Sequence, residues 1–275
     1  MPKTKDRDLQ EGAVPLTWRS RLAPILPYLV SLIGALVFIL LWEVLAWINA
    51  VPYLPSFSQS VLALTELGLK GELGFHTLNS IFRIGLGFGG ALLTGIPLGI
   101  AIGRWRLVHQ FTKPITEAVR FIPPLAMLPV ALVILHTAQA TAVFIIWFAA
   151  FFPILLGTVA GVHRTDPAHV EVAQSFGAHE WQVLEKVIFP SALPEILTGA
   201  RVGLGVGWMS LVAAEMVAAG GGWGLGYLIW TLFGSYQFSA MVGVIMLLAV
   251  IGFLMNEGFV LLEEYLLRYR KLVTE

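Results

Sequence analysis

Arg83, Glu215, Ser210 and the indole of Trp208 all fall inside long apolar runs, where a charged or hydrogen-bonding group is expensive. An ionised side chain at the centre of a lipid-spanning helix costs about 2.5–3.5 kcal/mol on insertion scales, so each needs a partner or a water-filled path. Arg83 could offer positive potential to a passing anion, and Glu215 could pair with an arginine. For both, a structural ion pair or a snorkelled position is the alternative. Trp208, Met209 and Ser210 could line a path at mid-span, with plain packing as the alternative. Arg201 and Arg120 lie nearer the ends of their runs, where head groups or a neighbouring connection are the expected contacts. Glu43 is also near an end, and His136, beside Thr137 and Gln139, reads as an exposed turn.

Other chemistries fail on spacing. Gly85, Gly87 and Gly90 spell a dinucleotide-binding pattern, but no strand precedes them and no acidic ribose partner follows. His179 and Glu180 open a zinc-protease motif whose second histidine position holds Val183. No glycine-lysine-serine or glycine-lysine-threonine phosphate loop occurs, so the chain does not hydrolyse ATP through one. The absence of cysteine excludes disulfides, thiolate metal sites and cysteine nucleophiles, and the six histidines are dispersed. No metal site, bound cofactor or catalytic residue is expected.

The elements that carry these residues follow from composition. Apolar types make up 57% of the 275 residues and charged types only 12%, against about 45–50% apolar, glycine included, in a soluble domain. The formal charge is zero, so no global field argues for nucleic acid. Six runs are long enough to cross a core about 30 Å thick as helices: 28–48, 77–103, 118–136, 141–162, 193–218 and 238–262. The expected fold is therefore an all-α membrane protein with six transmembrane helices.

Basic residues fall on alternate connections: the opening tail, Arg104 with Arg106 and Lys113, Arg164 with Lys186, and Arg268 with Arg270 and Lys271. This places those connections and both termini in the cytoplasm. The division is a cytoplasmic tail over 1–26, a membrane domain over 27–265 and a cytoplasmic tail over 266–275. Gly95, Gly99 and Gly103, and again Gly199, Gly203 and Gly207, form small-residue stripes that let helix backbones approach closely. Pro97, Pro123, Pro124, Pro129 and Pro153 remove backbone donors inside spans, which points to a gap in the bundle.

Between two of the most apolar runs lies a water-compatible stretch, "EVAQSFGAHEWQVLEKVIFP", from Glu171 to Pro190. Asp166 can cap a helix with Pro167 at its first position. Gly177 then stops that helix, and a second run from 179 to 187 puts Trp181, Leu184 and Val187 on one side. Pro190 is expected to end it, with Ser191 and Glu195 capping the next span. The result is a cytoplasmic helix, turn and helix.

The spacing Glu171-x-Ala173, then Gly177, then Val187 and Phe189-Pro190, resembles the EAA loop of ABC importer permeases. "FPSALPEILTGARVGLGVGWMSLVAAEM", "LPSFSQSVLAL" and "HTLNSIFRIGLGFGGAL" resemble the nitrate, sulfonate, taurine and bicarbonate branch, most of all its taurine and sulfonate members. The likeness runs in order from Leu54 to Gly226. Val172, Val187 and Phe189 replace the more usual alanine, isoleucine and leucine, and "LHTAQATAV" stands where many relatives carry a loop with glycine and an acid.

The resemblance implies a type I importer permease of a bacterial inner membrane, importing a small anion. It further implies a coupling segment at 163–192 using Glu171, Ala173, Gly177, Val187 and Pro190, and two ATPase subunits that hold ATP and Mg. A second permease copy and a periplasmic or lipid-anchored binding protein complete the implied assembly. The rival readings are a stand-alone ion- or proton-coupled carrier and a membrane enzyme, the latter disfavoured by the lack of a cluster of catalytic groups.

Overall fold

The structure, a computed structural model, describes residues 26–48, 51, 53–217 and 222–268. Lys3, Lys5, Arg7, Arg19 and Arg21 of the expected N-terminal tail, and Arg270 and Lys271 of the C-terminal one, lie outside them. Among the described residues the regular structure is helical throughout: α1 Leu26–Trp47, α2 Phe57–Leu69, α3 Glu72–Arg104, α4 Arg106–Val119, α5 Leu128–Leu135, α6 Ala138–His163, α7 Pro167–Ser175, α8 Glu180–Val183, α9 Phe189–Val217, α10 Leu225–Gly234 and α11 Phe238–Leu266.

Five helical stretches are long and apolar enough to cross a membrane, and a sixth crossing exists if the α4–α5 pair counts as one span. That pair corrects the expected straight helix over 118–136. Its two arms, Arg106–Val119 and Pro124–Leu135, meet at 91°, and the second opens with a tight turn at Pro124–Met127. Consecutive prolines explain the break. Neither Pro123 nor Pro124 can donate a helical hydrogen bond, and a residue before proline is driven out of the helical region, as the Pro123 ψ of 131° records.

The fifth span departs from expectation in the opposite sense. Pro190 does not end a helix; α8, a wide turn at Leu184–Ile188 and α9 form one continuous helical stretch of 38 residues, Glu180–Val217. The turn is of π type, with hydrogen bonds reaching five residues back, which accommodates the donor that proline lacks. Ser191 and Glu195 therefore lie inside the helix, and Glu195 pairs with Arg164 rather than serving a first turn. At 1.5 Å per residue the rod is about 57 Å long, so roughly half of it exceeds a core about 30 Å thick.

The chain divides into two compact units between Ser58 and Gln59. In the first, α1 has no buried residue in its apolar window, as a lipid-covered helix should. Near the end of α1, the Trp42 indole donates to Pro55 O at 3.0 Å, and Glu43 accepts from the Ser58 hydroxyl at 2.6 Å.

In the second unit, α6 lies between α3 and α9. Ile146, Ala150 and Ile154 of α6 are fully buried there with Ile84, Ala91, Ala200 and Leu211. The glycine stripes make this possible. A Cβ on Gly99 would lie 2.5 Å from Thr158 Cβ, and one on Gly199 would lie 2.6 Å from Pro153 O. The stripes are thus close packing inside one chain. A second cluster gathers Leu67, Leu225, Leu228, Ile229, Leu232 and Val244 from α2, α10 and α11. Helix α10 occupies a stretch between the expected spans over 193–218 and 238–262, where the sequence offered no element.

Candidate functional site

Two polar assemblies interrupt the bundle, one at each end. At the end assigned to the cytoplasm, the Asp166 carboxylate accepts from Ala168 N at 2.9 Å with Pro167 in the first turn of α7, as the sequence indicated. The helix ends in a paired motif: Ala178 N donates to Ala173 O at 3.0 Å and Gly177 N to Gln174 O at 2.9 Å. This geometry needs a left-handed residue, supplied by Gly177 at φ 82°. His179 N donates to the Gln182 side chain at 2.9 Å and so starts α8.

The foot made by α7 and α8 is held from inside by Val183, Ile188, Ala192 and Ile196, packed with Val162 of α6. From outside, Arg104 at the end of α3 grips Glu180 with both arms, at 2.7 and 3.0 Å. Arg164 pairs with Glu195. Of the expected coupling residues, Glu171 and Gly177 are exposed, and Ala173, Val187 and Pro190 are half-buried. Trp181 does not face inward with Leu184: it is 73% exposed, Phe176 is 89% exposed, and Val183 takes the inner position. An open cleft of about 620 Å³ between α7 and the wide turn is lined by Arg164, His169, Ala173, Lys186 and Pro190.

At the opposite end, Arg83 of α3 and Glu215 of α9 meet at 2.7 Å, each 4% exposed. The structure thus brings together two residues 132 positions apart that the sequence could only nominate separately. Arg83 also donates from Nε to Gln139 Oε1 at 2.7 Å and from Nη1 to Trp223 O. The Ser80 hydroxyl lies 2.9 Å from both Glu215 oxygens and accepts from Leu225 N at 2.9 Å. Gly226 N donates to Glu215 Oε2 at 2.9 Å, and His76 Nδ1 meets the Gly224 peptide, 3.0 Å from its N and 2.9 Å from its O, accepting from the first or donating to the second according to its tautomer.

His76, Ser80 and Gln139 were not singled out by the sequence. A signal existed: positions 76, 80 and 83 fall on one helical face of an otherwise apolar span. Gln139 had no such signal, since only the fold lays the start of α6 against Arg83.

The mid-span candidates sit apart from this network. Trp208 and Met209 line a cleft of about 210 Å³ between α9 and α11, with Arg201, Gly205, Gly252 and Asn256. Ser210 is half-buried. Arg201 donates to Asn256 Oδ1 at 3.0 Å and lies 4.0 Å from Glu263, both on α11. Among the described residues no three His, Asp or Glu side chains are placed to hold a metal ion.

Residues 95–266 match the family described as binding-protein-dependent transport system inner membrane component. This chain belongs to that family. It is a multi-pass permease subunit of an ATP-driven ABC importer of the inner membrane, itself non-catalytic, and works with ATPase and substrate-binding partners. It is 39% identical over 207 residues to the taurine transport system permease protein TauC of Escherichia coli, covering 73% of this chain and 74% of that one. It is 31% identical over 265 residues to the bicarbonate transport system permease protein CmpB of Synechocystis, covering 92% and 93%. The nitrate import permease protein NrtB of the same organism is 34% identical over 197 residues, covering 72% and 71%. The permease resembles in fold a chain of the inward-facing MetNI methionine ABC transporter, with a TM-score of 0.61 at 20% identity over 72% of this chain and 98% of that one.

Proposed function

We propose that this permease passes a small anion of the nitrate, bicarbonate or sulfonate class, taurine included. Two copies form the path, served by two ATPase subunits that hold ATP and Mg and by a periplasmic or lipid-anchored binding protein. The observation that carries the coupling half of this reading is the foot. Phe176 and Trp181 are 89% and 73% exposed on an element whose other side is anchored in the core. Large aromatic groups beyond the reach of lipid, on a rigid support, mark a protein-docking surface.

In this reading Glu171, Ala173 and Gly177 shape the docking helix and its turn, and Val187 and Pro190 join the foot to the rod. A push on the foot reaches α9 without a break in the helix. Because α9 is packed on α6 through glycine contacts too close to slide, the spans tilt together. Trp208 and Ser210 border the path on α9, while Arg83 and Glu215 act on it from the outer end. The identity of the relatives supports a small anion as cargo, and the binding protein makes the finer choice.

The test is purification of the tagged chain from its membrane, followed by reconstitution with what accompanies it and uptake of labelled nitrate, bicarbonate and taurine. A phosphate-loop ATPase in equal amount, with uptake that requires ATP, is the expected result. Uptake by the chain alone without nucleotide would replace the importer assembly by a carrier.

A further inference from the structure

Helix α10 has ten residues and is about 15 Å long, half of what a crossing needs. Its first turn is nevertheless buried, and the backbone donors that open it have no water to satisfy them. Two are taken by side chains from other elements, Leu225 N by Ser80 and Gly226 N by Glu215, and His76 Nδ1 meets the Gly224 peptide at 3.0 Å from N and 2.9 Å from O. The carbonyl before them, Trp223 O, is taken by Arg83. The segment is shaped for this reception, since Gly224 holds φ 137° and any Cβ there would collide with the Glu215 carboxylate. Apolar packing could cover the same surface at similar stability. What a hydrogen-bonded pin adds is a fixed register between the backbone of 223–226 and the end of α9.

We propose that Glu215 and Arg83 are positioning residues that make the start of α10 a moving part of the α9 rod. Motion imposed on the foot travels along the continuous helix Glu180–Val217 and repositions residues 223–226 at the outer end of the bundle. The Arg83 bond to Gln139 ties the start of α6 into the same body. This rests on the importer reading but not on which anion is carried.

The chain has no cysteine, so a single Leu225→Cys reporter, at a fully buried position, can be followed with a membrane-impermeant maleimide in the reconstituted complex. An Ile145→Cys reporter, equally buried on α6, controls for general loosening. In the parent, Leu225→Cys should label slowly, and its rate should change between the nucleotide-free state and the state trapped with ATP and vanadate. Because a lone Glu215 variant leaves Arg83 buried without a partner, the informative background is Arg83→Met with Glu215→Leu. There Leu225→Cys should label about tenfold faster or more, with no nucleotide dependence, while Ile145→Cys stays protected.

Protection or a nucleotide response retained in that background would reduce the pair to packing and overturn the proposal. So would a parent reporter indifferent to nucleotide, or Ile145→Cys opening together with Leu225→Cys. Failure of the importer reading is seen separately, as a purified complex that hydrolyses no ATP.

Discussion

At the cytoplasmic end Arg104 meets Glu180 with 27% and 45% of the two side chains in contact with solvent; at the outer end Arg83 meets Glu215 with 5% and 1%. The distances are the same, 2.7 Å, and the physics is not. The exposed pair is screened by water and gains little over its separated ions. The buried pair has no solvent to return to, so either partner alone becomes an uncompensated charge. The ion pair at the foot can therefore exchange its contacts with water, while the outer network has to stay complete. In the proposed assembly the first end is gripped by a partner and the second holds its shape.

The strongest way to break this comparison is Glu215→Ala. It should destabilise the assembled complex by about 3–5 kcal/mol, because Arg83 is left buried and Gly226 N loses its acceptor. Thermal unfolding of the detergent-solubilised complex would read this, and a shift no larger than that of a surface variant would show that water reaches the pair.

Gly99→Leu tests the packing between the two ends. The new side chain meets Thr158 and Leu155 O of α6, and overpacking of this kind costs about 1–3 kcal/mol. Unfolding of the complex at an unchanged midpoint would mean that α3 and α6 are free to separate there.

At the foot, Gly177→Trp should cost only about 1–2 kcal/mol for a left-handed non-glycine residue, since nothing lies within 4 Å of the added Cβ. Assembly should survive while ATP hydrolysis continues without uptake. Normal uptake in that variant would remove the turn from the coupling role. The smallest effect belongs to Arg104→Gln, expected below about 1 kcal/mol; a loss as large as that of Glu215→Ala would abolish the contrast between the two ends.

The foot was the more legible of the two in the sequence. Its cap, its first-position proline and its glycine turn depend on neighbours within a few residues, and local geometry suffices to read them. Pro190 misled for the same reason. A proline in a local reading ends a helix, whereas here the wide turn at Leu184–Ile188 carries the helix past it, stabilised by burial of Val183 and Ile188 in a core formed with α6. The straight third span failed where two adjacent prolines outweighed hydropathy. The outer network was half legible: a charge in an apolar span announces a need for partners, but Gln139, Trp223 and Gly226 reach Arg83 and Glu215 only through the fold.

By itself, the sequence determined the solvent, the helical character of the spans, the cap and glycine turn of the foot and the likeness to an importer permease, because hydropathy and capping act within one turn or one membrane thickness. Only the tertiary structure decided that Arg83 and Glu215 serve each other, that the glycine stripes close on α6, and that a ten-residue helix is held at the outer end. Those outcomes depend on which helix faces lie against one another. In a bundle the sequence determines what each face must bury, and packing alone determines against what.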